Sequence, residues 1–543
     1  MVRFPLLVLA GVSSCLEAAC ASSKASNACS AVSLSRALPD NAKVLSAVAV
    51  PAGGSYGEGS ANLAYPTNPT NMPATCTVVV NVTTSKTSSH RFGLFMPTTT
   101  WNQRYLTVGN GGFSGGINWL DMGAGLQYGF AVASTDMGHN SSMFDITWAL
   151  GETEKRLDFG FRATHGTTVM AKKLVESFYA SKIKHSYYSG CSTGGRQGLK
   201  EAQLYPEDFD GMLIGAPAWW TSHLQAWTTK LGIYNLPEGA ANHIDASLYP
   251  ILAAEAVSQC DAADGLSDGI ISAPHKCLFN LNKMLCSDCK TSNCLTTEQA
   301  QTVKNIYSDY VIGGKLTFPG LEIGSEGQWG VSISGSEPAS LGLQYIQYML
   351  LDNPSWPWEK YNDSIVALAD KKDPGDCTAD NYAAMAGYRA RGGKVLMYHG
   401  MADALISTGS STHFYESVAT TLGGMTKLSN WFRFFLVPGL QHCSGTAVDA
   451  PWYFAGGNQA GAIGTGVFSV PGFTDPKHDA MMALMDWVEK GTPVDRIVAT
   501  TWVRATDPSS GVLRQRPICP YPSHAAYSGK GDVNAATSWV CKE

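Results

Sequence analysis

Two short stretches separated by nearly half the chain share one arrangement. Gly190-Cys191-Ser192-Thr193-Gly194 sets a cysteine beside a serine in a glycine-flanked turn, and Gln441-His442-Cys443 sets a cysteine beside a histidine. If Cys191 and Cys443 form a disulfide, their Cα atoms lie ~5.5 Å apart. Ser192 and His442 are then neighbours, and any fold the chain adopts has to meet that condition.

The surroundings of the first stretch narrow the choice. Residues 185–189 read as a strand running into Gly190, 197–205 as a helix and 211–215 as a further strand. Strand, tight turn and helix are the setting of a nucleophile elbow, in which glycines permit the sharp bend that lifts a serine hydroxyl clear of the sheet. Apolar runs at 78–82, 91–96, 105–108, 129–134, 394–398 and 431–437 also read as strands. Residues 164–180, 412–422 and 479–490 read as helices. The alternation predicts an α/β fold with a mostly parallel sheet covered by helices. It breaks between 220 and 385, which reads as an inserted subdomain. Residues 22–75, rich in Ser, Ala, Pro and Gly, read as irregular packing, with Cys29 and Cys76 as a candidate pair.

At 543 residues the chain is long enough for one domain with a large insertion. A net charge of -6 argues against nucleic acid, which wants a basic face. No apolar run is long enough to predict a membrane span. Residues 1–21 read as an export signal: Arg3, an apolar stretch at 4–12, and small residues around Ala19-Cys20-Ala21, with cleavage after Ala18 as the alternative. Of 14 cysteines, Cys15 and Cys20 would leave with it. The even remainder predicts disulfides in a secreted, extracellular protein rather than zinc. Sequons at Asn81, Asn140 and Asn362 agree with export.

A serine hydroxyl is a poor nucleophile until a base accepts its proton. His442 follows the strand at 431–437 and is the preferred base; His399, at the end of the preceding strand, is the alternative and has the look of a buried histidine. The acid is expected between serine and histidine in the chain, where Asp403 fits; Asp449 falls after His442 and breaks the order. An oxyanion needs two aimed N–H groups. Thr193 supplies one, and Gly111 or Gly112, in the glycine-rich turn after the strand at 105–108, the other.

Together these residues resemble the tannase and feruloyl esterase family, marked by Cys-Ser, Asp and His-Cys with the two cysteines bridged. Here they stand as Cys191-Ser192, Asp403 and His442-Cys443. Gly215-Ala216-Pro217-Ala218 and Ser134-Thr135-Asp136-Met137-Gly138-His139 match as well. The resemblance implies an α/β-hydrolase core at 22–219 and 386–543, with a lid domain at 220–385. The layout is most similar to the feruloyl esterases of fungi, which cleave hydroxycinnamoyl esters of plant cell-wall sugars. Tannases, cleaving galloyl esters, are the alternative; some are processed at a Lys-Arg in the lid, and none occurs between 220 and 385. The implied partner is a feruloylated cell-wall polysaccharide or a small phenolic ester, with neither nucleic acid nor membrane. A catalytically dead, carbohydrate-binding relative is the rival from another class.

The turn at 260–270 crowds three carboxylates, a hard-oxygen setting that suits Ca²⁺ without being an EF-hand. The resemblance implies a structural calcium ion in the lid, held by the side chains of Asp261, Asp264 and Asp268 and the carbonyls of Leu266 and Ile270, with Cys260 and Cys277 stapling the turn. Cys519 with Cys541 is a further expected bridge. Cys286 and Cys294 are expected to be bridged residues, with the connectivity among Cys286, Cys289, Cys294 and Cys377 open. Trp219, Trp220, Trp227, Trp356 and Trp358 are candidates to stack on a phenolic ring, though most are expected in the core.

Overall fold

The structure is a computed structural model describing residues 29–287, 293–464 and 468–543; the expected export signal and Cys289 lie outside the described residues. Nine strands form the main sheet: β1 (Ala42–Val50), β2 (Thr75–Thr83), β3 (Ser89–Pro97), β4 (Arg104–Val108), β5 (Ala131–Thr135), β6 (His185–Cys191), β7 (Gly211–Gly215), β8 (Lys394–Gly400) and β9 (Phe432–Val437). Their order is β1-β2-β3-β5-β4-β6-β7-β8-β9. The pairings from β1 to β5 are antiparallel, and those from β5 to β9 are parallel. Strands β5 and β7 are buried at every position, as short apolar strands covered on both faces should be.

The helices that position the site are α1 (Trp119–Gln127), α2 (Ala163–Tyr179), α3 (Thr193–Leu204), α4 (Thr221–Tyr234), α5 (Tyr249–Cys260), α6 (Thr408–Leu422), α7 (Gly457–Ile463) and α8 (Ala480–Lys490). Helix α3 begins directly after β6 and is buried along almost its whole length. Its glycines make that possible: a Cβ on Gly195 would lie 2.6 Å from the Gly215 carbonyl, and one on Gly198 would strike Ile214 and Tyr188.

One expectation fails at the N-terminus. Residues 42–50, read as irregular, form the edge strand β1, paired with β2 along its length. At the edge only Val44 and Val50 are buried, and the apolar residues of β1 do not alternate with polar ones, so the period-two pattern of a half-buried strand is missing.

Between β7 and β8 no strand among the described residues joins the main sheet. Helices α4 and α5 and shorter turns build a separate core there, including Trp227, Leu252, Ile306, Trp329 and Tyr345. That core also takes in Phe113, Phe159 and Ile406 from loops at the end of the sheet. Trp227 belongs to it, and Trp356 lies within it with Trp358 packed against it. Trp219 is fully buried in the core on one face of the main sheet and stacks on Trp220 at 5.0 Å. These tryptophans are core.

Among the described residues five disulfides tie the fold: Cys29–Cys76, Cys191–Cys443, Cys260–Cys277, Cys286–Cys294 and Cys519–Cys541. Cys377, counted among possible bridge partners, is instead a buried free thiol, pushed up to about 12 by burial. An even cysteine count therefore does not mean that every one is paired. Among the sequons, Asn140 and Asn362 are exposed and Asn81 lies half-buried in β2. No helix among the described residues is long and apolar enough to cross a membrane.

Candidate active site

Ser192 stands between the end of β6 and the start of α3 with φ 63 and ψ -123, a left-handed conformation costly for any residue but glycine. Its N–H donates to the Gly215 carbonyl at 3.0 Å, and its own carbonyl accepts from Arg196 and Ala218. Strands β6 and β7 and helix α3 thus hold the bend. A Cβ on Gly190 would come within 2.7 Å of the Gly194 backbone, so the turn needs glycine there.

The bridge Cys191–Cys443 sets its Cα atoms 6.0 Å apart and draws the loop after β9 against this turn. Ser192, His442, Cys191 and Cys443 border one cavity of about 390 Å³. His442 hydrogen-bonds to Asp403 through Nδ1 and to Gln328 through its N–H, and no hydrogen bond joins it to Ser192 among the described residues.

Asp403 lies on the loop after β8 and is fully buried. Its Oδ2 meets Nδ1 of His442 at 2.7 Å, while its Oδ1 accepts from the N–H groups of Leu405 and Ile406, each at 2.9 Å. Burial alone would raise this carboxyl, but His442 and His399 hold it well below the usual carboxylate range. His399 is the buried histidine that its position suggested. Its Nε2 shares Asp403 Oδ2 at 3.0 Å and its Nδ1 faces the Ser411 hydroxyl at 2.7 Å, so it braces the carboxylate from behind. It does not border the cavity.

The turn at 109–112 approaches the start of α3. Thr193 Oγ1 donates to the Gly112 carbonyl at 2.7 Å, and Gln197 Oε1 accepts the Asn110 N–H at 3.0 Å. The N–H groups of Gly112 and Thr193 donate to no protein acceptor among the described residues. Gly112 has φ +53, and a Cβ there would sit 2.4 Å from the Met143 carbonyl oxygen. Gly111 is a correction: its N–H donates to the Tyr65 hydroxyl at 2.7 Å and is not free for an oxyanion.

Three residues near the site had no sequence signal of the kind used above. Tyr65 borders the cavity, its hydroxyl pushed up to about 12 by burial. Asp121, on α1, borders it as well. Gln328, from the inserted segment, accepts through one Oε1 from the N–H groups of both Ala404 and His442, at 3.1 and 3.3 Å. It thereby clips the acid loop to the base loop.

The acidic turn at 261–270 is a distinct region. Asp261 accepts the N–H groups of Asp268, Gly269 and Ile270; Asp264 accepts Leu266; Asp268 accepts Ile270 and pairs with Arg516. Burial, with the Asp268 charge adding to it, raises Asp264 above its ordinary value. Crowded, partly desolvated carboxylates and nearby carbonyls are a donor set that fits Ca²⁺ in kind, and a dication would relieve that crowding.

A family model described as tannase and feruloyl esterase matches residues 76–345 and 340–542. The probable feruloyl esterase B-1 of Aspergillus flavus is 33% identical over 497 residues, covering 90% of this chain and 91% of that protein. The probable feruloyl esterase B of Aspergillus clavatus is 34% identical over 498 residues, with the same coverage. Among solved structures, feruloyl esterase B from Aspergillus oryzae aligns at a TM-score of 0.86 with 31% identity, covering 95% of this chain and 99% of that one. The tannin acyl hydrolase from Aspergillus niger, 20% identical with a TM-score of 0.73, covers 95% of each chain and shares the fold.

Proposed function

Since the chain belongs to the tannase and feruloyl esterase family and is a carboxylic ester hydrolase with an α/β fold, we propose that it hydrolyses feruloyl and related hydroxycinnamoyl esters of plant cell-wall polysaccharides, with Ser192 as nucleophile, His442 as base and Asp403 as the acid. The observation that carries this reading is the Asp403–His442 contact at 2.7 Å beside a cavity shared with a bent, disulfide-tethered serine.

Ser192 Oγ attacks the ester carbonyl as His442 Nε2 takes its proton. Asp403 fixes the imidazole tautomer through Nδ1 and stabilises the imidazolium that forms. The N–H groups of Thr193 and Gly112 receive the negative charge on the former carbonyl oxygen. His442 returns the proton to the departing alcohol, the C–O bond breaks, and an acyl-enzyme remains. Water, deprotonated by His442, then releases the phenolic acid. The feruloyl esterases named above support hydroxycinnamate as the acyl group. Comparing turnover of methyl ferulate and methyl gallate on the purified protein tests the choice. Preference for ferulate is expected, and preference for gallate would make the protein a tannase.

The segment at 220–385 acts in this reading as a lid, positioning the base loop through Gln328. Its turn binds a structural Ca²⁺ through Asp261, Asp264 and Asp268 with the carbonyls of Leu266 and Ile270, bracing the loop electrostatically. The protein is secreted, a reading supported by five disulfides, and is glycosylated at Asn81, Asn140 and Asn362.

A further inference from the structure

Asp121 is the one carboxyl among the described residues that line the cavity. It occupies the first turn of α1, where Asn118 caps the helix: Asn118 Oδ1 accepts the Asp121 N–H at 3.3 Å, and Asn118 Nδ2 donates to Asp121 Oδ2 at 2.8 Å. Capping explains one carboxyl oxygen only. The other, Oδ1, has no hydrogen-bond partner among the described residues, although the residue borders the cavity that Ser192 and His442 share. Capping alone would also favour a carboxyl with an ordinary or lowered pKa, since a helix N-terminus favours negative charge. Burial instead raises Asp121 to about 7.

Asn458, on α7, also borders the cavity but offers it no donor: its Oδ1 accepts from the Ser189 hydroxyl at 2.7 Å, and its Nδ2 is buried beside the Tyr398 hydroxyl. Leu120, Gly461 and Ala462 border the cavity with these two residues, and Met143, Leu341 and Leu405 line it further on. A spare carboxyl acceptor in a cavity that also presents Leu120, Met143, Leu341 and Leu405 matches a flat aromatic ring carrying an O–H.

We propose that Asp121 is a specificity-determining residue that accepts a hydrogen bond from the ring hydroxyl of the acyl group. The proposal rests on the phenolic-ester reading above and deepens it. An acceptor left unpaired by a substrate lacking the hydroxyl penalises that substrate.

The test compares kcat/KM for methyl ferulate, methyl p-coumarate and methyl cinnamate, the last lacking the hydroxyl, in the wild type and in Asp121→Asn. Asparagine can still serve Asn118 through its oxygen, and then turns an N–H₂ donor toward the ring hydroxyl. The wild type is expected to prefer p-coumarate over cinnamate by roughly tenfold or more, and Asp121→Asn to lower that ratio by a similar factor. An unchanged ratio in the variant, or parity between the two esters in the wild type, would overturn the assignment. The parity test needs no variant to fold. A wild type that cleaves 4-nitrophenyl acetate but none of the phenolic esters would instead overturn the substrate reading itself. Normal ferulate turnover without the selectivity effect would overturn Asp121 alone.

Discussion

The bridge Cys191–Cys443 closes 252 positions of chain, and Cys260–Cys277 closes 17. The short one tightens a turn that Asp261, Asp264 and Asp268 already fold onto main-chain N–H groups. The long one joins two loops that local contacts cannot bring together, the bend at Ser192 and the loop carrying His442. On chain entropy alone the long bridge is worth about 5 kcal/mol and the short one about 3 kcal/mol. The difference teaches that the first bridge serves position as well as stability, whereas the second adds to a turn held by its own hydrogen bonds.

The largest expected effect lies beside the long bridge. Ser192→Ala should lower kcat on methyl ferulate by at least about a thousandfold while leaving the melting temperature within a few degrees. Retention of most of the activity would remove the chemistry from this loop. Asp403→Asn should cost about as much, roughly a thousandfold or more, because the His442 tautomer loses its anchor. Asp403 also gives a pH signature. Its carboxyl is held below its unfolded value, so its stabilising effect is present above about pH 4 and is lost as pH falls toward the folded value. The stability gap between wild type and Asp403→Asn, from urea melts, should shrink below pH 4; a gap that widens there would contradict the assignment.

Paired removal of the two bridges compares them directly. Cys191→Ala with Cys443→Ala should lower both kcat and the unfolding free energy. Cys260→Ala with Cys277→Ala should cost about 2 kcal/mol less and spare kcat. Equal losses of activity would show that the long bridge does not position the base. The smallest effect belongs to the acidic turn. Excess EDTA should lower the melting temperature by several degrees if Ca²⁺ binds there, with calcium restoring it; an unchanged melt would discard the ion.

Much of this was legible because the loops proposed for catalysis leave marks that need no alignment. Glycines at 190 and 195 are demanded by backbone contacts too close for a Cβ, and the strand–turn–helix rhythm around them places Ser192 at the C-terminal end of β6, inside the sheet. Asp403 was singled out by chain order, and the structure adds the N–H groups of Leu405 and Ile406 that steady it. The strand β1 was missed because its apolar residues do not alternate with polar ones, only Val44 and Val50 being buried at the edge of the sheet. The choice between Gly111 and Gly112 stayed open in the sequence because it depends on where Tyr65, more than forty positions upstream, puts its hydroxyl. Gln328 and Asp121 carry no local pattern at all; their roles exist only once distant elements pack around the loops they touch.

One measurement reaches the central claim most directly: fluorophosphonate labelling of the native protein, followed by protease mapping without reduction. The account predicts a single adduct on Ser192, in a peptide linked through Cys191 to the peptide carrying His442 and Cys443. An adduct on any other residue, or Ser192 and His442 recovered in unlinked peptides, would contradict it.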